Sequence, residues 1–73
     1  MKMAVRHIAD PAIVEYLVRY LDEEVLEAYE IRKNGIAETY VKLADGSSVR
    51  HFQDGETFYY DAKGRVTCTV EVD

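Results

Sequence analysis

Three side chains in this sequence have the chemistry of a nucleophile, proton carrier or metal ligand: His7, His51 and Cys68. A zinc site takes about four ligands at recognisable spacing, and a thiol with an imidazole needs a third group to orient the base. Neither pattern is present, and the chain also lacks a paired-carboxylate motif, a glycine-rich phosphate loop and a Ser-centred nucleophile motif. The expectation is a protein with no catalytic residues, no cofactor and no metal. A small enzyme using His51 or Cys68 ranks third among the readings, because a thiol beside Phe58 and Val70 would be buried, inert packing.

Two other groups of residues have the composition of contact surfaces. Tyr40, Lys42, Arg50, Phe52 and Tyr59 combine rigid aromatic rings with cations, a mixture that offers contact area at low entropic cost. They are the expected partner-binding face for a protein or a second copy of the chain; stacking of single-stranded nucleic acid is the rival use. Glu15, Asp22, Glu23, Glu27 and Glu30 form a secondary acidic surface, able to meet a basic partner.

The elements that must position these residues follow from periodicity. Asp10 before Pro11 is a helix start, the acid accepting a free amide and the proline fitting the first turn. From there Ile13, Val14, Leu17, Val18, Leu21, Val25, Ala28, Tyr29 and Ile31 share one side of a helical wheel. One helix near residues 11–33 is expected, capped by Gly35. Asn34-Gly35 is also a hairpin signal, which would instead make 29–33 a strand turning into another at Ile36.

Beyond Gly35, glycines recur every nine residues, Gly46, Gly55 and Gly64, between strand-like runs at 37–44, 48–53, 56–61 and 65–72. A two-residue turn at Asp54-Gly55 and three-residue loops at Asp45-Gly46-Ser47, pairing Leu43 with Val49, and at Ala62-Lys63-Gly64 put Val41, Leu43, Val49, His51, Phe58, Tyr60, Val66, Cys68 and Val70 on one inner face. Tyr40, Lys42, Arg50, Phe52 and Tyr59 then fall on the outer face. The fold expected is a single two-layer α+β domain over 1–73, one long N-terminal helix on a four-stranded antiparallel β-meander, with Met3 and Val5 adding an edge strand.

Tyr60, Asp61, Ala62, Lys63, Gly64, Arg65, Val66 and Thr67 resemble a YD repeat, the Tyr-Asp-x-x-Gly-Arg hairpin of large bacterial shell-forming proteins. The resemblance covers eight residues and implies a tight hairpin with Asp61 and Arg65 paired across the loop. It carries no function.

Composition narrows the partners. Fourteen acids against nine bases leave a net charge of -5, which disfavours nucleic acid and anionic membrane. No run approaches the about 18 apolar residues of a membrane span, the start does not read as a signal peptide, and one cysteine suits a reducing compartment. The chain is expected to be soluble and cytoplasmic. The reading that results is a non-catalytic protein-binding module, by analogy of size and charge a small inhibitor or accessory protein of phage or mobile-element type.

Overall fold

The computed structural model describes residues 5–71, with side chains from Ile8 onward. Its elements are β1 (Val5–Ile8), α1 (Pro11–Val18), β2 (Val25–Lys33), β3 (Ile36–Leu43), β4 (Ser48–Phe52), β5 (Thr57–Tyr60) and β6 (Val66–Val70). The strands form one antiparallel sheet in chain order, β1 to β6, and α1 packs on one of its faces. Among these residues no helix is long and apolar enough to cross a membrane.

The helix starts as its sequence requires: Asp10 accepts the Ala12 amide at 2.9 Å and Pro11 occupies the first turn. It ends after two turns. A helix continued to residue 33 would set Glu23 against Glu27 at i,i+4 and Glu27 against Glu30 at i,i+3, like charges that repel on one face. Stopped at Val18, it meets Asp22, Glu23 and Glu24 only beyond its negative C-terminal end, where they lie exposed in a loop.

The expected α+β arrangement of one long helix on four strands is therefore overturned: the fold is mostly sheet, with six strands and an eight-residue helix. Residues 25–33 satisfy both periodicities, and long-range pairing decides between them. Tyr29 faces Tyr40, Ile31 faces Glu38, and a bulge at Leu26 adjusts the register before Val25 reaches Leu43. Arg32 Nε donates to Glu30 at 2.6 Å, a contact between residues i and i+2 that a strand permits and a helix does not. Asn34 and Gly35 close this hairpin with both φ values positive, 55° and 79°, the two-residue turn whose twist matches its flanking strands. Of the expected N-terminal edge strand, Met3 lies outside the described residues; Val5–Ile8 pair with β2.

The three later turns share one geometry. In each, a glycine amide returns to the residue three before it, Gly46 to Leu43, Gly55 to Phe52 and Gly64 to Asp61, at 2.9–3.0 Å. That residue in turn donates its own amide to the residue after the glycine. All three are thus three-residue loops ending in the glycine at positive φ: Ala44-Asp45-Gly46, where Asp45-Gly46-Ser47 was expected and Val41 instead of Leu43 now meets Val49; Gln53-Asp54-Gly55, where a two-residue turn was expected; and Ala62-Lys63-Gly64. Asp61 and Arg65 pair across the last loop at 3.5 Å.

That one additional loop residue turns β5 over. Val49 stands opposite Tyr59 and Arg50 opposite Phe58, so Tyr59 points toward the helix while Phe58 and Tyr60 point away. Tyr59 donates its hydroxyl to the Leu17 carbonyl at 2.9 Å, joining helix to sheet. The buried core under α1 is small: Leu17, Val41, Leu43 and Val49, ringed by Ile13, Val14, Val18, Val25, Ala28 and Tyr59.

Two glycine substitutions test this loop geometry. Gly35→Ala meets no atom within 4 Å and should cost only the strain of a left-handed conformation, about 1–2 kcal/mol. Gly46→Ala, also at positive φ, would set its methyl 3.1 Å from the Ala62 Cβ and should cost more. Urea denaturation of both variants, with unchanged slope, reads the difference; equal costs would contradict the packing of the first and third loops.

Candidate interaction surface

Alternation along each strand sorts the side chains onto two faces. α1 lies over Val41, Val49 and Tyr59; on the opposite face the register lines up Ile8, Tyr29, Tyr40, Arg50, Phe58 and Thr69 as one row across all six strands. The flanking rows contribute Ile31, Glu38 and Phe52 on one side and Lys42, Ser48, Tyr60 and Val66 on the other. No described element covers this face.

Its centre is a clasped cation. Arg50 Nε donates to the Glu38 carboxylate one strand away, and the guanidinium carbon lies 5.5 Å from the centre of the Phe52 ring. The Glu38 hydrogen bond lifts the Arg50 pKa further, against the opposing effect of burial, so the charge is permanent. Around it the rings shield one another laterally. Tyr29 and Tyr40 have centroids 5.2 Å apart, and Phe52 meets Phe58 edge to face at 5.7 Å and 86°, geometries that add to simple area burial. Each ring is half-buried by its neighbours, while Ile8 and Ile36 stand 92% and 59% exposed on the same face. Phe52 forms a wall common to two depressions of about 710 and 240 Å³, both also lined by Ile36 at the β2–β3 turn.

Four of the five residues expected on the partner-binding face, Tyr40, Lys42, Arg50 and Phe52, are brought together there. Tyr59 is not, for it is bonded to Leu17 on the helix side; Phe58 and Tyr60 take its place. Sequence reasoning also missed Tyr29 and Ile31, which it had assigned to a helix. The equal nine-residue spacing of Gly46, Gly55 and Gly64 was the available signal, since equal spacing implies equal turns and hence the observed parity of β5.

The five acids do not form one surface. Glu15 is on α1, Asp22 and Glu23 are in the following loop, Glu27 stands opposite Lys42 on the open face, and Glu30 stands opposite Thr39 on the helix side. With β2 a strand, no helix face exists to align them.

His51 and Cys68 both point to the helix side, from strands separated by β5, and share no hydrogen bond. Cys68 is exposed, not buried beside Phe58 as expected: it faces Tyr59, and α1 is too short to reach over β6. The His7 side chain lies outside the described residues. Among the described residues no group of three or more His, Cys, Asp or Glu is arranged to hold a metal ion.

Comparison with known proteins finds no matching family model, no matching curated protein and no matching solved structure. The functional reading therefore rests on the geometry.

His51 has a structural task with a pH signature. The Thr57 hydroxyl donates to the Gly55 carbonyl at 3.1 Å, so at 2.7 Å it accepts from His51, whose Nδ1 carries the proton. Burial lowers the His51 pKa from its usual 6.5, opposed by Asp54. Below pH 6.5 the unfolded chain then binds more protons than the folded one, so stability is full above that pH and falls as pH drops toward the folded pKa. Denaturation midpoints across this range should decline for the native chain and lose that component in His51→Gln; identical profiles would show His51 to be solvated.

Proposed function

We propose that this chain is a non-catalytic protein-binding module that works through the open face of its sheet. The observation that carries the reading is the uncovered row of Tyr29, Tyr40, Phe52 and Phe58 around the Glu38–Arg50 pair. A pre-packed aromatic cluster holding a fixed, half-desolvated Arg resembles the centre of a protein interface, where Tyr and Arg are over-represented among energetically dominant residues. The rings hold one another in place, so little side-chain freedom remains to be lost on binding.

Charge favours protein over nucleic acid as the partner. Arg50 is matched by Glu38 and Lys42 stands opposite Glu27, and the chain as a whole carries a net charge of -5, which disfavours tracking of a phosphate backbone. A single exposed thiol fits a reducing, cytoplasmic working place. Action as an inhibitor or accessory protein rests on analogy of size and net charge.

Photo-crosslinking groups placed at residue 58 on the open face and residue 15 on the helix, in cells making the protein, separate the two sides. The residue 58 probe should yield a discrete protein adduct, and Phe52→Ser with Tyr40→Ser should weaken binding of the purified adduct partner at least about tenfold, equivalent to about 1.4 kcal/mol, without unfolding the chain. Tyr59→Ser should instead lower stability, because its ring and hydroxyl belong to the core. Adducts confined to the residue 15 probe, or salt-dependent retention of an oligonucleotide by the open face, would refute the proposal.

A further inference from the structure

The hollow of about 710 Å³ at one end of the open face is walled by Ile36, Phe52 and Phe58, with Asp54 and Glu56 beside them. Loop geometry fixes these groups relative to one another. Phe52 and Glu56 close the β4–β5 loop, the Phe52 amide donating to the Glu56 carbonyl at 2.8 Å, so both side chains stand on the open face while His51 and Thr57 turn to the helix. The Gln53 amide donates to the Ala37 carbonyl, and the Gln53 side-chain oxygen accepts the Ala37 amide, each at 3.0 Å. These two bonds tie the loop to the start of β3 and hold Ile36 beside the hollow. The Asp54 carboxylate accepts the Glu56 amide at 2.9 Å, which anchors it at the same place.

The walls are apolar and the charge is of one sign. No Lys, Arg or His lines the hollow, and among the described residues neither Asp54 nor Glu56 enters an ion pair. Glu56 is nonetheless half-buried, and a partly desolvated carboxylate gains from an opposite charge brought to it. The same face shows which opposite charge suits such a site. Phe52 has a glutamate directly across from it on each side, Glu38 on β3 and Glu56 at the start of β5. The first holds the Arg50 guanidinium, whose carbon lies 5.5 Å from the Phe52 ring centre. Arg50 is thereby neutralised at Glu38, and Glu56 repeats the pairing of carboxylate and ring with a second ring, Phe58, added at right angles.

We propose, on the basis of the open-face reading, that this hollow seats an arginine side chain of the partner protein, its guanidinium on Glu56 and Asp54 against a Phe ring and its methylenes on Ile36. Arginine fits better than lysine because its planar fork bonds two carboxylates and stacks on a ring, and because it is the more weakly hydrated cation. The hollow is larger than one side chain, so apolar neighbours of that arginine fill the rest. The net charge of -5 draws such a basic segment toward the chain before contact.

Titrating the whole isotope-labelled chain with the capped dipeptide acetyl-Leu-Arg-amide at millimolar concentration probes the seat directly. Amide resonances of Ile36, Phe52, Glu56 and Phe58 should shift; acetyl-Leu-Lys-amide should shift them less, and acetyl-Leu-Glu-amide should leave them in place. Glu56→Gln, whose carboxylate supports no described hydrogen bond, should remove these shifts with unchanged circular dichroism, while Glu15→Gln, the same loss of charge on the helix, should retain them. Against the protein captured by the residue 58 crosslink, Glu56→Gln should weaken binding at least about tenfold and Glu15→Gln should not. Absence of shifts at the hollow, equal shifts from the arginine and glutamate or the arginine and lysine peptides, or equal effects of Glu15→Gln and Glu56→Gln would each overturn the seat. The open-face reading outlives that failure if Tyr40→Ser, outside the hollow, still weakens partner binding, and falls with it if Tyr40→Ser does not.

Discussion

The ladder between β2 and β3, closed by two consecutive residues at positive φ, is the constraint on which the rest of the molecule depends. Without it residues 25–33 have a competing helical pattern, and with it they become a strand that supplies Tyr29 to the open face and Ala28 to the core. The same ladder gives β1 its pairing partner, since every β1 residue opposes one in β2. Asn34 and Gly35 are suited to the task because each tolerates the left-handed region that other side chains avoid.

Cohesion is spread along the sheet more than it is concentrated in the core. A helix of two turns shields Val41, Leu43 and Val49 beneath Leu17, which is little buried volume for a chain of 73 residues. Most of the order must then come from inter-strand hydrogen bonds and from lateral contacts between rings. Such a molecule is expected to open from its outer strands inward, with the peptide groups around Val41 and Val49 exchanging last. Function and economy of packing meet here, for the face opposite the helix, which no described element covers, is the one with a row of rings to offer.

What could be read from residue order alone divides along physical lines. The helix start at Asp10 and Pro11, the placing of turns at Gly46, Gly55 and Gly64, though not the length or bounds of the first two, and the shared face of Tyr40, Lys42, Arg50 and Phe52 were legible because each depends on local chemistry or on alternation along a strand. The extent of the helix was not, because Val25, Ala28, Tyr29 and Ile31 fit both a 3.6-residue and a two-residue period, and only contact with β3 breaks the tie. Tyr59 and Phe58 were exchanged for a subtler reason. Asp54-Gly55 is compatible with a two-residue or a three-residue turn, and one residue of loop inverts every side chain that follows. The exposure of Cys68 was lost with the length of the helix alone, since its side chain lies on the helix side as expected and α1 stops short of β6.

The common construction of the three glycine loops bears on how such a chain can change length over generations. Each loop transmits the parity of one strand to the next, so a single-residue insertion upstream of β5 would trade Tyr59 for a neighbour and empty the core of its contact with Leu17. A two-residue insertion would preserve the faces. Copying one loop-and-strand unit would invert the faces of every later strand, since equivalent positions in successive units, such as Val49 and Phe58, lie on opposite faces, whereas copying two units, a whole hairpin, would preserve them. The bulge between Tyr59 and Tyr60 shows how one odd residue is absorbed without reversing the end of β6. Tolerated gaps in descendants of this sequence should therefore come in even steps, in whole hairpin increments, or with a compensating bulge, so that the arithmetic of the loops acts as a filter on inherited variation.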